Sequence, residues 1–263
     1  MIPPDARDAI FCRDGDWLVP TEFAGGPWSV GAQHGGPVAG LLARSVETCV
    51  PPGMRVTRLA VDLLGEVPLE PLRAEVEVVR PGKRIALVRA RLLDDAKVLA
   101  GATAQLLRTE PIAGIERWLA QDVPHPSRPE EPRGAGWAGL DIPGFARAVD
   151  FSWHEETDSR RSIMWTRLRL PLVAGETTSP LVRLASLSDF ASGAGNALDL
   201  RRFVSINPDL TLHIEREPRS DWIGIEGSTE VRADGTGQSL GSVYDLHGRI
   251  ARAQASLYVA ARG

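Results

Sequence analysis

Alternating apolar and polar positions run through much of the chain. Leu72, Ala74, Val76 and Val78 alternate with Arg73, Glu75 and Glu77. That period of two turns one strand face to a core and the other to water. Pro81-Gly82-Lys83 reads as a turn into a second strand over 85–93, and Asp94-Asp95 as a turn into a third over 98–107. Farther on, Leu210, Leu212 and Ile214 alternate with Asp209, Thr211, His213 and Glu215. A strand is predicted around 222–226, and a last hairpin pairs 240–244 with 250–259 across Asp245-Leu246-His247-Gly248. Two segments switch to helical spacing. One runs over 37–50 with Val38, Leu41, Leu42 and Val46, and stops at Pro51-Pro52. The other opens at Thr178-Ser179-Pro180, where Ser179 can cap free N–H groups and Pro180 suits the first helical position. It continues through Leu181, Leu184, Leu187 and Ala191 to the breaker Gly193-Ala194-Gly195.

The second helix is apolar almost all round, interrupted by Arg183, Ser186, Ser188 and Asp189. Such a helix is buried on most sides. One buried helix per set of strands implies a curved antiparallel sheet wrapped around it. The order helix-then-strands occurs twice. Pro37 aligns with Pro180, Asp62 with Asp209 and Gln105 with Gln254, the latter pairs lying 43 and 45 residues apart within their halves. Between the halves, 109–150 holds six prolines among its glycines, which reads as a connector with a short helix around 115–120. The expected organisation is an N-terminal half over 1–108, this connector, and a C-terminal half over 151–263. The expected class is α+β, two antiparallel sheets each wrapped around a central helix.

Composition narrows the function. A net charge of −4 over 263 residues offers no basic surface for nucleic acid or an anionic membrane. No run approaches the roughly 20 apolar residues of a membrane helix, and the charged start lacks the apolar stretch of a secretory signal. Cys12 and Cys49 form neither a metal spacing nor a disulfide framework. A cytoplasmic protein with no metal and no cofactor is the expectation.

Asp189 draws notice on physical grounds. It lies near the C-terminal end of an apolar helix, where negative charge opposes the helix dipole. If it is buried, desolvation should raise its pKa and suit it to act as a general base. The alternative is a partly exposed carboxylate paired with Arg201 or Arg202. Gln254 shares a strand face with Arg252, Ser256 and Tyr258, opposite Ala253, Ala255 and Leu257. It either positions a water or is simply solvated. His34-Gly35-Gly36 precedes the first helix, where glycines let a substrate approach the backbone and free N–H groups suit a developing oxyanion. The other reading is an entry turn that needs glycine, with His34 capping the helix or facing solvent. Arg80, Lys83 and Arg84 are turn charges within reach of phosphates or only of water.

Taken in order, several motifs resemble the acyl-CoA thioesterase II-like, double-hotdog family. They are Gln33-His34-Gly35-Gly36-Pro37-Val38-Ala39-Gly40, Ser188-Asp189-Phe190, Phe203-Val204-Ser205-Ile206-Asn207-Pro208-Asp209, Asp221-Trp222, and the hairpin from Tyr244 to Gln254. The resemblance implies an acyl-CoA substrate, thioester hydrolysis, and a water held by an Asp, a Thr-like residue and a Gln. By position these fall on Asp189, Asn207 (with Ser205 as the alternative) and Gln254. Asn207 departs from the family pattern, since an amide lacks a hydroxyl's geometry. His34, Gly35, Gly36 and Ser205 are expected to contact the substrate. A homo-oligomer is compatible with the resemblance. Two rivals remain. One is a non-catalytic acyl-binding protein. The other is an enoyl-CoA hydratase of the same fold, which would need an Asp where Ser205 stands and a His where Leu210 stands. No Gly-x-Ser-x-Gly elbow supports a covalent serine route.

Overall fold

In the computed structural model the residues described are 8–27, 29–95, 97–130, 143–155, 162–195, 198 and 202–262. The first half begins with a short hairpin, β1 (Phe11–Asp14) and β2 (Trp17–Pro20), followed by helix α1 (Gly35–Glu47). Four strands follow: β3 (Met54–Leu63), β4 (Arg73–Arg80), β5 (Ile85–Asp94) and β6 (Lys97–Arg108). The second half repeats the plan. It has β7 (Val149–Glu155), β8 (Ser162–Leu168) and helix α2 (Pro180–Ser188). Then come the short β9 (Phe203–Ile206), β10 (Asp209–Ile214), β11 (Ile223–Val231), β12 (Thr236–Asp245) and β13 (Gly248–Ala261). The connector segment 131–142 lies outside the described residues, and the helix expected around 115–120 is a single 3-10 turn, Glu116–Trp118.

The two sheets join edge to edge. The strand order is β4-β5-β6-β3-β10-β13-β12-β11-β8-β7, with β9 pairing β13. The seam is β3 against β10, antiparallel, with Asp62 directly opposite Asp209. These are equivalent positions of the repeat, so the seam relates the halves by an approximate two-fold. On the inner side, Leu41, Leu42, Val46, Leu184 and Leu187 are fully buried. Each such side chain contributes about 1.5–3 kcal/mol through burial.

The two helices pack against each other as well as against the sheet, and small residues allow it. A Cβ at Gly40 would collide with Ser186 Oγ and lie 3.2 Å from the Leu172 side chain. An ion pair and a hydrogen bond pin the far end: Arg44 donates to both carboxylate oxygens of Glu176 at 2.6 Å, and Ser179 Oγ donates to Glu47 at 2.7 Å. Ser179 also accepts from Val182 N–H, the cap expected of it. The helix expected to reach Ala191 stops at Ser188 and tightens into a 3-10 turn over Asp189–Ser192. Tightening is a common way to satisfy the last carbonyls. Here Ser192 Oγ donates to Asp189 O at 3.0 Å. The turn places Asp189 at the helix terminus, against the start of α1.

Candidate active site

Asp189 is buried, with 6% of its surface exposed, yet both carboxylate oxygens are engaged. Asn207 Nδ2 donates to Oδ1 at 2.8 Å. His34 Nδ1 lies 2.9 Å from Oδ2. Asn207 follows β9, His34 is the cap of α1, and Asp189 ends α2. One half of the chain therefore supplies the imidazole and the other the carboxylate and amide. Asp189 pairs with neither candidate arginine among the described residues; Arg201 lies outside them.

The electrostatic outcome reverses the expectation from sequence. Burial pushes the Asp189 carboxyl up. The hydrogen bond and charge of His34, with hydrogen bonds from Asn207 and the Gly36 N–H, outweigh it and hold the group below the ordinary carboxylate range.

Gly35 is required by this arrangement. A Cβ there would lie 2.8 Å from Asp189 Oδ2 and 2.9 Å from Oδ1, so only a hydrogen lets the carboxylate rest on the helix start. A Cβ at Gly36 would meet Ser186 O and lie 2.7 Å from the Phe145 ring. Gly35→Ala is expected to displace the carboxylate and lower kcat/KM at least about tenfold, since small misplacements in such sites are costly. Its circular dichroism should stay near that of the wild type. Steady-state kinetics beside a spectrum of the folded variant check this.

A cavity of about 290 Å³ opens at the pair. Its walls include His34, Gly35, Asp189, Ser205 and Asn207, with Val38, Leu63, Val67, Phe190 and Ile206 as apolar surface. A pocket mostly apolar with a few convergent polar groups is the usual form of a small-molecule site. Among the described residues, Ser205 Oγ is buried without a hydrogen-bond partner, and so is Gln33 Oε1, whose Nε2 donates to Pro68 O at 2.7 Å. Buried polar atoms left unpaired in a cavity wall are positioned to meet a ligand or water. The Gly35 N–H, at the start of α1, has no partner among the described residues. The Gly36 N–H, expected to be free for an oxyanion, instead lies 3.0 Å from His34 Nδ1.

Gln254 does not join the group, which corrects its proposed water-holding place. On β13 the inward positions belong to Ala251, Ala253, Ala255 and Leu257, and Gln254 is exposed on the other face. Strand alternation settles this, because neighbouring side chains point to opposite faces. It stands across from Thr211 and Leu240, outside the cavity. Three contributors escaped the sequence reading. Gln33 sits inside a quoted motif but gives no separate signal. Phe145 and Phe190 flank the His34 ring at centroid distances of 5.2 and 5.0 Å and stack on each other at 5.4 Å. Nothing local marks Phe145, which lies in a 3-10 turn over Gly144–Ala148.

Comparison with known proteins agrees with this architecture. Residues 24–107 match the family model of the acyl-CoA thioesterase N-terminal domain, and residues 117–259 that of the C-terminal domain. No sequence among the curated proteins matches. Among solved structures, an acyl-CoA thioesterase II TesB2 from Mycobacterium marinum is 18% identical, with a TM-score of 0.65, covering 90% of this chain and 94% of that one. A tesB protein from Mycobacterium avium subsp. paratuberculosis is 18% identical, with a TM-score of 0.65 and 95% of each chain covered. A hot dog fold protein of unknown function from Alicyclobacillus acidocaldarius is 17% identical, with a TM-score of 0.68, covering 97% and 98%. At these identities the structures speak for the fold. With both family models matched across most of its length, the chain belongs to the acyl-CoA thioesterase family and is a double hotdog.

Proposed function

We propose that the chain hydrolyses acyl-CoA thioesters by direct attack of water, which is activated at the Asp189–His34 pair and not, as the sequence suggested, by Asp189 alone. The observation that supports this most is the buried carboxylate held by His34 and Asn207 at the wall of a mostly apolar cavity. The acyl group lies along Val38, Leu63, Val67 and Ile206. Asn207 Oδ1, which has no partner among the described residues, and Ser205 Oγ accept hydrogen bonds from the water. The Gly35 N–H meets the carbonyl oxygen as it gains charge.

The route is tested by a single turnover in oxygen-18 water. Direct attack places one labelled oxygen in the acid on the first turnover. An acid unlabelled on the first turnover, with label retained on Asp189, would show an acyl-aspartyl anhydride instead.

One observation favours a second reading. The hydratase lacked an acid and a base at Ser205 and Leu210, but His34 and Asp189 form such a pair elsewhere. Loss of the enoyl absorbance of a short enoyl-CoA, without thiol release, would select that reaction.

A further inference from the structure

We propose that His34 Nε2 is the atom that takes the proton from the attacking water, with Asp189 holding the ring in place. This rests on the hydrolytic reading above and assigns the proton's first stop within it.

A ring nitrogen can hold only one role at a time. His34 Nδ1 lies 2.9 Å from Asp189 Oδ2 and 3.0 Å from Gly36 N. Assigning the Nδ1 proton to the contact with Asp189 Oδ2 leaves the Gly36 N–H, which points to Nδ1 in the structure, to the carboxylate that it also reaches. Nε2 is then the unprotonated nitrogen. It has no hydrogen-bond partner among the described residues, and His34 is among the residues that line the cavity. Each Asp189 oxygen already has one partner, Oδ1 in Asn207 and Oδ2 in His34, which makes the carboxylate a weaker base toward water. A base oriented by a third group through its far nitrogen is a recurrent catalytic arrangement. Contacts with Phe145 and Phe190 keep the ring from swinging.

The step balances without a further reagent. A water O–H bond breaks toward Nε2 while the oxygen bonds to the thioester carbonyl carbon. The carbonyl electron pair moves to oxygen, facing the Gly35 N–H. Collapse restores the C=O bond and breaks the C–S bond. The imidazolium returns its proton to sulfur, releasing thiol and acid. His34 is then a catalytic residue and Asp189 a positioning residue that stabilises the imidazolium.

The discriminating variant is His34→Asn. Its amide nitrogen stands near the position of Nδ1 and can keep the hydrogen bond to Asp189, but nothing replaces Nε2. The expected result is a fall in kcat of roughly a hundredfold or more with KM changed only a few-fold. His34→Ala should fall similarly and regain activity with added imidazole, which a merely structural ring would not allow. A folded His34→Asn within about tenfold of the wild type, or no rescue of His34→Ala, overturns the proposal while leaving hydrolysis standing. A wild type that releases no thiol overturns the hydrolytic reading and this assignment together.

Discussion

Asp189→Asn is expected to lower kcat/KM for thioester hydrolysis roughly a hundredfold or more while leaving the protein folded. Asn keeps the shape of the carboxylate and removes its charge. Asn207 then faces a second amide in place of Oδ1, and His34 Nδ1 no longer has an anion to donate to. Without that charge the imidazolium formed during attack is unsupported, so the loss should appear in kcat more than in KM. The effect on stability should be smaller than the effect on rate. The variant removes a buried charge along with its partners' hydrogen bonds, and these terms oppose each other. Kinetics with a thermal melt on the same preparation check both statements. A variant within a few-fold of the wild type would show that the carboxylate is structural.

The second large effect lies outside the cavity. Asp245 is fully buried and receives Arg216 through both oxygens at 2.7 Å, with backbone N–H groups of Arg219, His247 and Gly248 also donating. Arg216 reaches on to Asp122 of the connector. Burial raises the Asp245 carboxyl, but the Arg216 hydrogen bonds, the backbone donors and the Arg216 charge outweigh it and hold it at about 2. Asp245→Ala leaves Arg216 and three N–H groups without their acceptor, and is expected to cost about 3 kcal/mol or more. The pH dependence has a definite sign. A depressed carboxyl stabilises the fold above its ordinary value of 3.8, and that contribution, about 2 kcal/mol, is lost as pH falls toward 2. Denaturant melts at neutral pH and through the acid range should show the wild type losing more stability on acidification than Asp245→Ala. Equal acid sensitivity would place the lost protons elsewhere.

The repeat, the two buried helices and the final hairpin were legible because their signals are local. Period-two alternation marks β10 and β13, and Ser179-Pro180 marks the start of α2; β4 forms where its alternation predicts a strand, but all of its residues are exposed, so the core face expected for Ala74, Val76 and Val78 is not found. The seam was implicit in the alignment of Asp62 with Asp209, although nothing in the pattern says that equivalent strands meet. Strands β7 and β8 escaped because their apolar residues do not alternate cleanly, as in Ser162–Leu168. Strand β3 escaped because Arg55, Thr57 and Arg58 interrupt its apolar face.

The site was half legible. Asp189, Asn207, Ser205, His34 and Gly35 converge, yet their pairing depends on how α1 crosses α2, which no spacing reveals. Gln254 was given its water-holding place by the resemblance alone, whereas the pattern, with Ala253, Ala255 and Leu257 on the opposite face, left open the solvated position it occupies. The small Ala253 and Ala255 proved to be the core face. The pKa of Asp189 was misjudged for a related reason. Burial was foreseeable from the apolar helix, whereas the donors that offset it come from the other half of the chain and from the residue that follows β9.

The most direct test of the central claim is thiol release by the wild type from a panel of acyl-CoAs, short to long, followed by a colorimetric thiol reagent with product acid measured in parallel. Equal amounts of thiol and free acid are expected, both released roughly a hundredfold or more slowly by Asp189→Asn. Binding of acyl-CoAs without release of either product would contradict it and make the cavity a carrier's rather than an enzyme's.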